Sequence, residues 1–138
     1  MQAKEVSQLF GLSIDTLRYY ERIGIIPPIA RDKNGYRDYK TTDLNWIYLV
    51  KTLRKTGMPI NALQKYTRLS QKASQVDAAT EQKAILKVQL ADINEKIEEL
   101  AQAQALLRYK LDNFDEHLVK FNTKDHDDPT IERLWEQN

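Results

Sequence analysis

The sequence predicts a mainly α-helical protein with a winged helix-turn-helix domain over residues 1–71 and a long dimerisation coiled-coil helix over 75–121. A tail over 122–138 has the pattern of a short docking helix. Three observations predict this. Residues 75–121 contain neither Pro nor Gly, and apolar residues recur through them at alternating steps of four and three. Residues 1–70 instead break into short periodic segments punctuated by Gly and Pro. Charge is also divided: residues 1–70 hold 12 Lys+Arg against 6 Asp+Glu, and residues 71–138 hold 9 against 14. The halves carry +6 and −5, which close on the net +1 of the chain. A basic first half suits a polyanionic partner, because clustering of cations matters more than the overall charge.

The elements follow in order. AKEVSQLF places Val6, Leu9 and Phe10 at helical spacing, and Gly11 breaks that helix. Ser13 caps a second helix whose first turn holds Asp15, where an acid suits the helix dipole. Its body lies in TLRYYERIGIIPP, residues 16–28: Arg18, Tyr19, Tyr20, Glu21 and Arg22, then Gly24 as a stop and Pro27-Pro28 at the exit. Leu17 and one tyrosine pack inward. Tyr20 is expected to be that tyrosine, although the periodicity alone does not decide between Tyr19 and Tyr20. Two short helices joined by a Gly-containing turn form a helix-turn-helix pattern.

Asn34-Gly35 then sits between two short extended runs, and Asn-Gly favours a hairpin with a type I′ turn. The arms carry Arg31, Lys33, Arg37 and Lys40 with Tyr36 and Tyr39. A ribbon so rich in cations is a poor core element and a good wing along a phosphate backbone. A third helix is expected over about 43–56, capped by Thr42 or Asp43, with Leu44, Ile47, Tyr48, Leu49 and Leu53 inward. Gly57 ends it. Met58-Pro59 starts a fourth helix through Asn61, Leu63, Tyr66 and Leu69, since Pro is tolerated in a first helical turn.

The long helix carries Leu86, Leu90, Ile93, Ile97, Leu100, Gln104, Leu107, Leu111, Phe114, Leu118 and Phe121 as one heptad seam. The short helices before it offer too little apolar surface to cover such a seam, so pairing with a second copy is expected. Gln104 is the polar member, of the kind that sets register at some cost in stability. In the tail, Pro129 precedes Ile131, Leu134 and Trp135 on one face, which fits a small docking helix and equally a frayed end. Asp125-His126-Asp127-Asp128 is expected to be solvated linker, and His117 a surface histidine.

Other classes find little support. The chain has no Cys, which excludes disulfides, thiolate metal sites and thiol redox sensing. No apolar run approaches the roughly 20 residues of a membrane span, and MQAKEVSQLFGL lacks the pattern of a signal peptide. A cytoplasmic protein is therefore expected. Paired-carboxylate, Gly-rich phosphate-loop and Ser/His/acid patterns are lacking, so neither an enzyme nor a cofactor is expected. A coiled-coil scaffold without DNA binding is the competing reading. It explains the seam but leaves the basic hairpin and the tyrosine-rich helix unexplained.

Read together, SIDTLRYYERIGIIPP, the NGYRDY wing, the TGMPI junction and the long helix resemble the MerR family of bacterial transcription regulators over about residues 2–120. The resemblance implies a homodimer that binds double-stranded DNA at a two-fold promoter site. Such regulators bend and untwist an overlong promoter spacer so that RNA polymerase engages both hexamers, a use of deformation energy rather than base contact alone. It also implies that the helix with the TLRYYE motif enters the major groove. Thr16, Arg18 and Tyr19 are then candidates for the groove and adjacent phosphates, and Arg22 for the backbone. Arg31, Tyr36, Arg37, Tyr39 and Lys40 would hold phosphates and minor-groove edges from the wing, with Lys51, Arg54 and Lys55 as further backbone candidates. Family members that sense metals, oxidants or electrophiles use cysteines, and drug-sensing ones add a large C-terminal domain. Neither is expected here. A small ligand in the dimer interface, a protein bound by the tail, or no small effector remain.

Overall fold

The computed structural model describes residues 1–72, 76–121, 126–127 and 129–136. Among the described residues six α-helices follow one another: α1 (Ala3–Phe10), α2 (Ile14–Arg22), α3 (Thr41–Lys55), α4 (Ile60–Ser70), α5 (Val76–Asp112) and α6 (Phe114–Phe121), with a 3-10 turn at Leu134–Glu136. Two compact units emerge, Met1–Leu90 and Ala91–Asn138. No strand forms among the described residues, and no helix there is long and apolar enough to cross a membrane.

The first unit is built on Val6, Leu17, Ile25, Ile26, Ile29, Tyr39, Ile47, Val50, Met58 and Leu63, all buried. Each large aliphatic side chain so placed contributes about 1.5–3 kcal/mol relative to exposure. The first two helices form where their caps put them. Gly11 closes α1 in the left-handed region (φ 64°) with its N–H donating to Ser7 O, and the Ser13 hydroxyl accepts from Thr16 N at 3.0 Å to open α2. After α2, the apolar run Ile25-Ile26 with Ile29 passes into the core. Thr67 Oγ1 of α4 fastens it there, 2.9 Å from both the Ile25 and Leu63 carbonyl oxygens, while Gln64 Nε2 donates to Ile23 O at 2.8 Å.

The third helix begins two residues earlier than the sequence suggested. Neither Thr42 nor Asp43 caps it: Lys40 is the N-cap and both lie in the first turn, where the Asp43 carboxylate accepts from Lys40 N at 2.7 Å. Tyr48, expected inward, is 63% exposed; Val50 is buried and Trp46 partly buried instead. Ile47 and Val50 share a face at i,i+3, and Tyr48 is turned about 100° from Ile47. The fourth helix starts at the Met58-Pro59 junction as expected, but Pro59 is its extended N-cap rather than a residue of its first turn.

The wing differs from the expected hairpin. Its arms meet in a single antiparallel bridge, Arg31 to Arg37, rather than a ladder. A type I′ turn needs positive φ at two central residues, and no described non-glycine residue has it. Instead Gly35 (φ 84°) follows a turn in which Gly35 N donates to Asp32 O at 3.0 Å. The Asp32 carboxylate accepts from Asn34 N at 2.9 Å and Tyr36 N at 3.0 Å. That side chain competes for the backbone donors and selects the three-residue loop with a left-handed glycine.

The start of α5 belongs to this unit. Ala78 is buried, Ile85 packs on the core, Gln82 Nε2 donates to Tyr66 O at 3.2 Å and buried Gln89 donates to Thr56 Oγ1 at 3.3 Å. In the second unit, the single expected helix is interrupted at Asn113, whose side-chain amide donates to Tyr109 O at 2.9 Å. Most seam residues, among them Leu86, Leu90, Ile97, Leu100, Leu107, Leu111, Phe114 and Leu118, are exposed on the single chain. Gln104 is exposed too, and Ile93 is half-buried. The Phe121 side chain lies outside the described ones. His117 is not a surface histidine: it is 13% exposed, with Nδ1 2.8 Å from Glu132 Oε2. The other carboxylate oxygen, Glu132 Oε1, accepts from Lys110 Nζ at 2.8 Å. Ile131 and Leu134 are half-buried, whereas Trp135 is exposed. Asp125 and Asp128 lie outside the described residues.

Candidate nucleic-acid interface

α2 presents its polar face through Arg18, Tyr19 and Arg22. Arg18 is exposed and only loosely tethered, 4.0 Å from the still more exposed Asp15. Tyr19 is the outward tyrosine, and the Arg22 guanidinium lies 5.4 Å from its ring centre. Such stacking is worth about 0.5–1 kcal/mol at an exposed site, and it aligns the guanidinium. Tyr20 turns inward against the core; burial pushes its hydroxyl pKa up, opposed by nearby Arg54. Thr16 is half-buried, its hydroxyl 2.8 Å from Ser13 Oγ, so it serves the cap as well as the surface.

The wing stands beside this face because of Glu21. Its Oε1 accepts from Arg37 Nε at 2.7 Å, and its Oε2 accepts from Ile29 N at 3.2 Å. Both side chains of the ion pair are about one-fifth exposed. One carboxylate on α2 therefore holds both the chain leaving α2 and the second arm of the wing. Arg31 Nη1 donates to Gly35 O at 2.7 Å and stiffens the loop. Between α2 and the wing lies a cleft of about 170 Å³ lined by Gln2, Ala3, Lys4, Arg18, Arg31, Tyr36 and Arg37. Four cations converge on one concavity, with the exposed Tyr36 at its edge.

Two of the expected residues sit differently. Tyr39 is a core residue, 2% exposed, and its hydroxyl is raised in pKa chiefly by burial; it leaves the surface set. Lys40 is exposed, but its ammonium is 2.5 Å from Asp38. That bond raises the Lys40 pKa and lowers that of Asp38, so part of the charge is neutralised locally. Of the further backbone candidates, Lys51 Nζ donates to Phe10 O and Arg54 Nη1 to Met58 O, whereas Lys55 is exposed. Gln2 and Lys4 were not anticipated. They reach the cleft because Tyr39 N donates to Met1 O at 2.8 Å, seating the first residues beside the wing. No local sequence signal announces a contact of that range.

Residues 1–69 match the model of the MerR HTH family regulatory protein. The chain belongs to the MerR family. It is a DNA-binding transcription regulator of the MerR type. Over 69 residues it is 48% identical to the HTH-type transcriptional regulator AdhR of Bacillus subtilis; the match takes in 50% of this chain and 49% of AdhR. The chain thus spans about half the length of that relative. The crystal structure of a MerR family transcriptional regulator from Listeria monocytogenes superposes with a TM-score of 0.78 at 36% identity, over 88% of this chain and 90% of the other. HiNmlR, a MerR family regulator lacking the sensor domain and solved bound to promoter DNA, gives 0.73 at 26% identity, over 86% and 92%. The two solved MerR-family structures thus each superpose on more than four-fifths of this chain.

Proposed function

We propose that this MerR-family chain binds a two-fold promoter site as a cytoplasmic homodimer and deforms the spacer between the promoter hexamers for RNA polymerase. The observation that carries the reading is the cleft in which Lys4, Arg18, Arg31 and Arg37 converge beside the exposed Tyr19–Arg22 pair. Four cations on one concave surface suit a phosphate backbone, and a helix carrying Arg18 at its side suits the major groove. Arg18 and Tyr19 serve the groove and its flanking phosphates, Arg22 the backbone, and Arg31, Tyr36 and Arg37 the wing contacts. The unpartnered seam from Leu86 to Leu118 supports self-association, which would give two half-sites.

Selection from a random duplex library with the purified protein tests this. A two-fold site across an overlong promoter spacer is the expected result, with affinity falling steeply as salt rises, since each neutralised phosphate contributes about −0.9 to the log–log slope. Selection of no sequence, or binding indifferent to salt, would refute it.

A further inference from the structure

A groove on the first unit plays no part in the DNA-facing surface. It lies between α4 and the first turns of α5, has a volume of about 330 Å³, and is floored by Met58, Ala62 and Ile85 and walled by Ala84 and Val88. Its size is at the lower end of the range for small-molecule sites, and its lining is largely apolar, as such sites are. Three polar residues border it: Lys65, Glu81 and the buried Gln89. Lys65 and Glu81 are both exposed and of opposite sign, so the rim favours neither an anion nor a cation. Val88 is 72% exposed, an apolar side chain left open on α5.

The heptad seam does not account for that face. At about 100° per residue, Ala84 and Val88 each lie roughly 160° around α5 from Leu86. A partner helix laid along Leu86 and Leu90 therefore sits opposite Ala84 and Val88, while Gln89, three residues from Leu86, lies on the groove's border nearest the seam. α5 is tied to the rest of its unit by a hydrogen bond from Gln82 to Tyr66 O at 3.2 Å and by one from the groove residue Gln89 to Thr56 Oγ1 at 3.3 Å.

We propose that this groove is the binding site for a small, uncharged, largely apolar molecule, whose body rests on Ala62, Ile85 and Val88 and whose one polar group meets Gln89. Lacking cysteine, the chain has no thiol with which to capture a ligand covalently, and a preformed apolar groove needs none. The proposal stands independently of the DNA reading, because it is tested without DNA.

The full chain is titrated with phenylnaphthylamine, a neutral apolar fluorophore. Saturable enhancement at one probe per protomer is expected. Ala84→Phe fills the groove from an exposed position and should weaken the probe at least about tenfold, a loss of ~1.4 kcal/mol; Val88→Ser should weaken it in the same direction. Leu90→Ser, in the seam, should leave probe affinity within about twofold. Naphthol should displace the probe at lower concentration than naphthoate or naphthylmethylammonium. Absence of saturation on the wild-type chain overturns the proposal. So does affinity retained in both groove variants, or affinity lost only in the seam variant, which would place the probe between copies. Preference for either ion would overturn the uncharged class.

Discussion

Replacing Glu21 by Ala separates geometry from charge in this protein. The substitution removes the acceptor of Arg37 Nε at 2.7 Å and of Ile29 N at 3.2 Å. A hydrogen bond to a charged group contributes about 1.5–3 kcal/mol, and a donor orphaned in the interior costs about 1–3 kcal/mol. Both side chains of the pair are about one-fifth exposed, so water recovers part of each, and the expected net loss is ~2 kcal/mol. For a chain of this size that is a drop of about 8 °C in melting temperature, measured at fixed protomer concentration. Arg37→Ala and the double variant complete a cycle, with an expected coupling of about 1–2 kcal/mol. DNA affinity is the decisive readout. Removing a carboxylate makes the surface more positive, and simple Coulomb attraction then predicts tighter binding. Loss of the wing's anchor predicts weaker binding, and that is the expected outcome. Tighter binding by Glu21→Ala, together with additivity within about 0.5 kcal/mol in the cycle, would refute the anchoring role.

Arg18→Ala should relax sequence preference in a selection experiment by about 1–3 kcal/mol at one base position; equal loss on all sequences would make Arg18 a backbone contact. Lys4→Ala should weaken binding to all duplexes alike and flatten the salt slope by about one, and a sequence-selective loss would contradict its place in the cleft. Gln104→Leu should tighten self-association in sedimentation equilibrium; a weaker dimer would show that Gln104 lies outside the seam. Ser13→Ala should lower stability by about 1 kcal/mol through the lost cap at the start of α2, and an unchanged urea midpoint would contradict that cap.

Local signals carried much of the fold. Gly11, Ser13 and Pro59 act on their own neighbours, so the ends of α1, α2 and α4 were legible from the residues alone. The α3 start was misplaced because an acid can serve a helix N-terminus from its first turn as well as from the cap, and the two look alike in sequence. The wing's turn type was misjudged because Asn34-Gly35 favours type I′ in isolation, whereas Asp32 takes the donors that decide the loop. Tyr39 shares its cationic surroundings with Tyr36, and only the packed core separates them. The roles of Lys4 and Glu21, and the burial of His117 by Glu132, depend on contacts between distant segments. The break at Asn113 carries neither Pro nor Gly to announce it.

The wing has a thermodynamic consequence for its partner. Between Arg31 and Tyr36 the loop closes on itself through Asp32 N to Tyr36 O, Gly35 N to Asp32 O, the two bonds to the Asp32 carboxylate, and Arg31 to Gly35 O. Ordering a backbone residue costs about 1–2 kcal/mol in lost conformational freedom. Here that loss is incurred when the chain folds, before any duplex arrives. On the proposed DNA-binding reading the wing meets the duplex as a rigid part, and calorimetry of binding should show little conformational entropy spent on it.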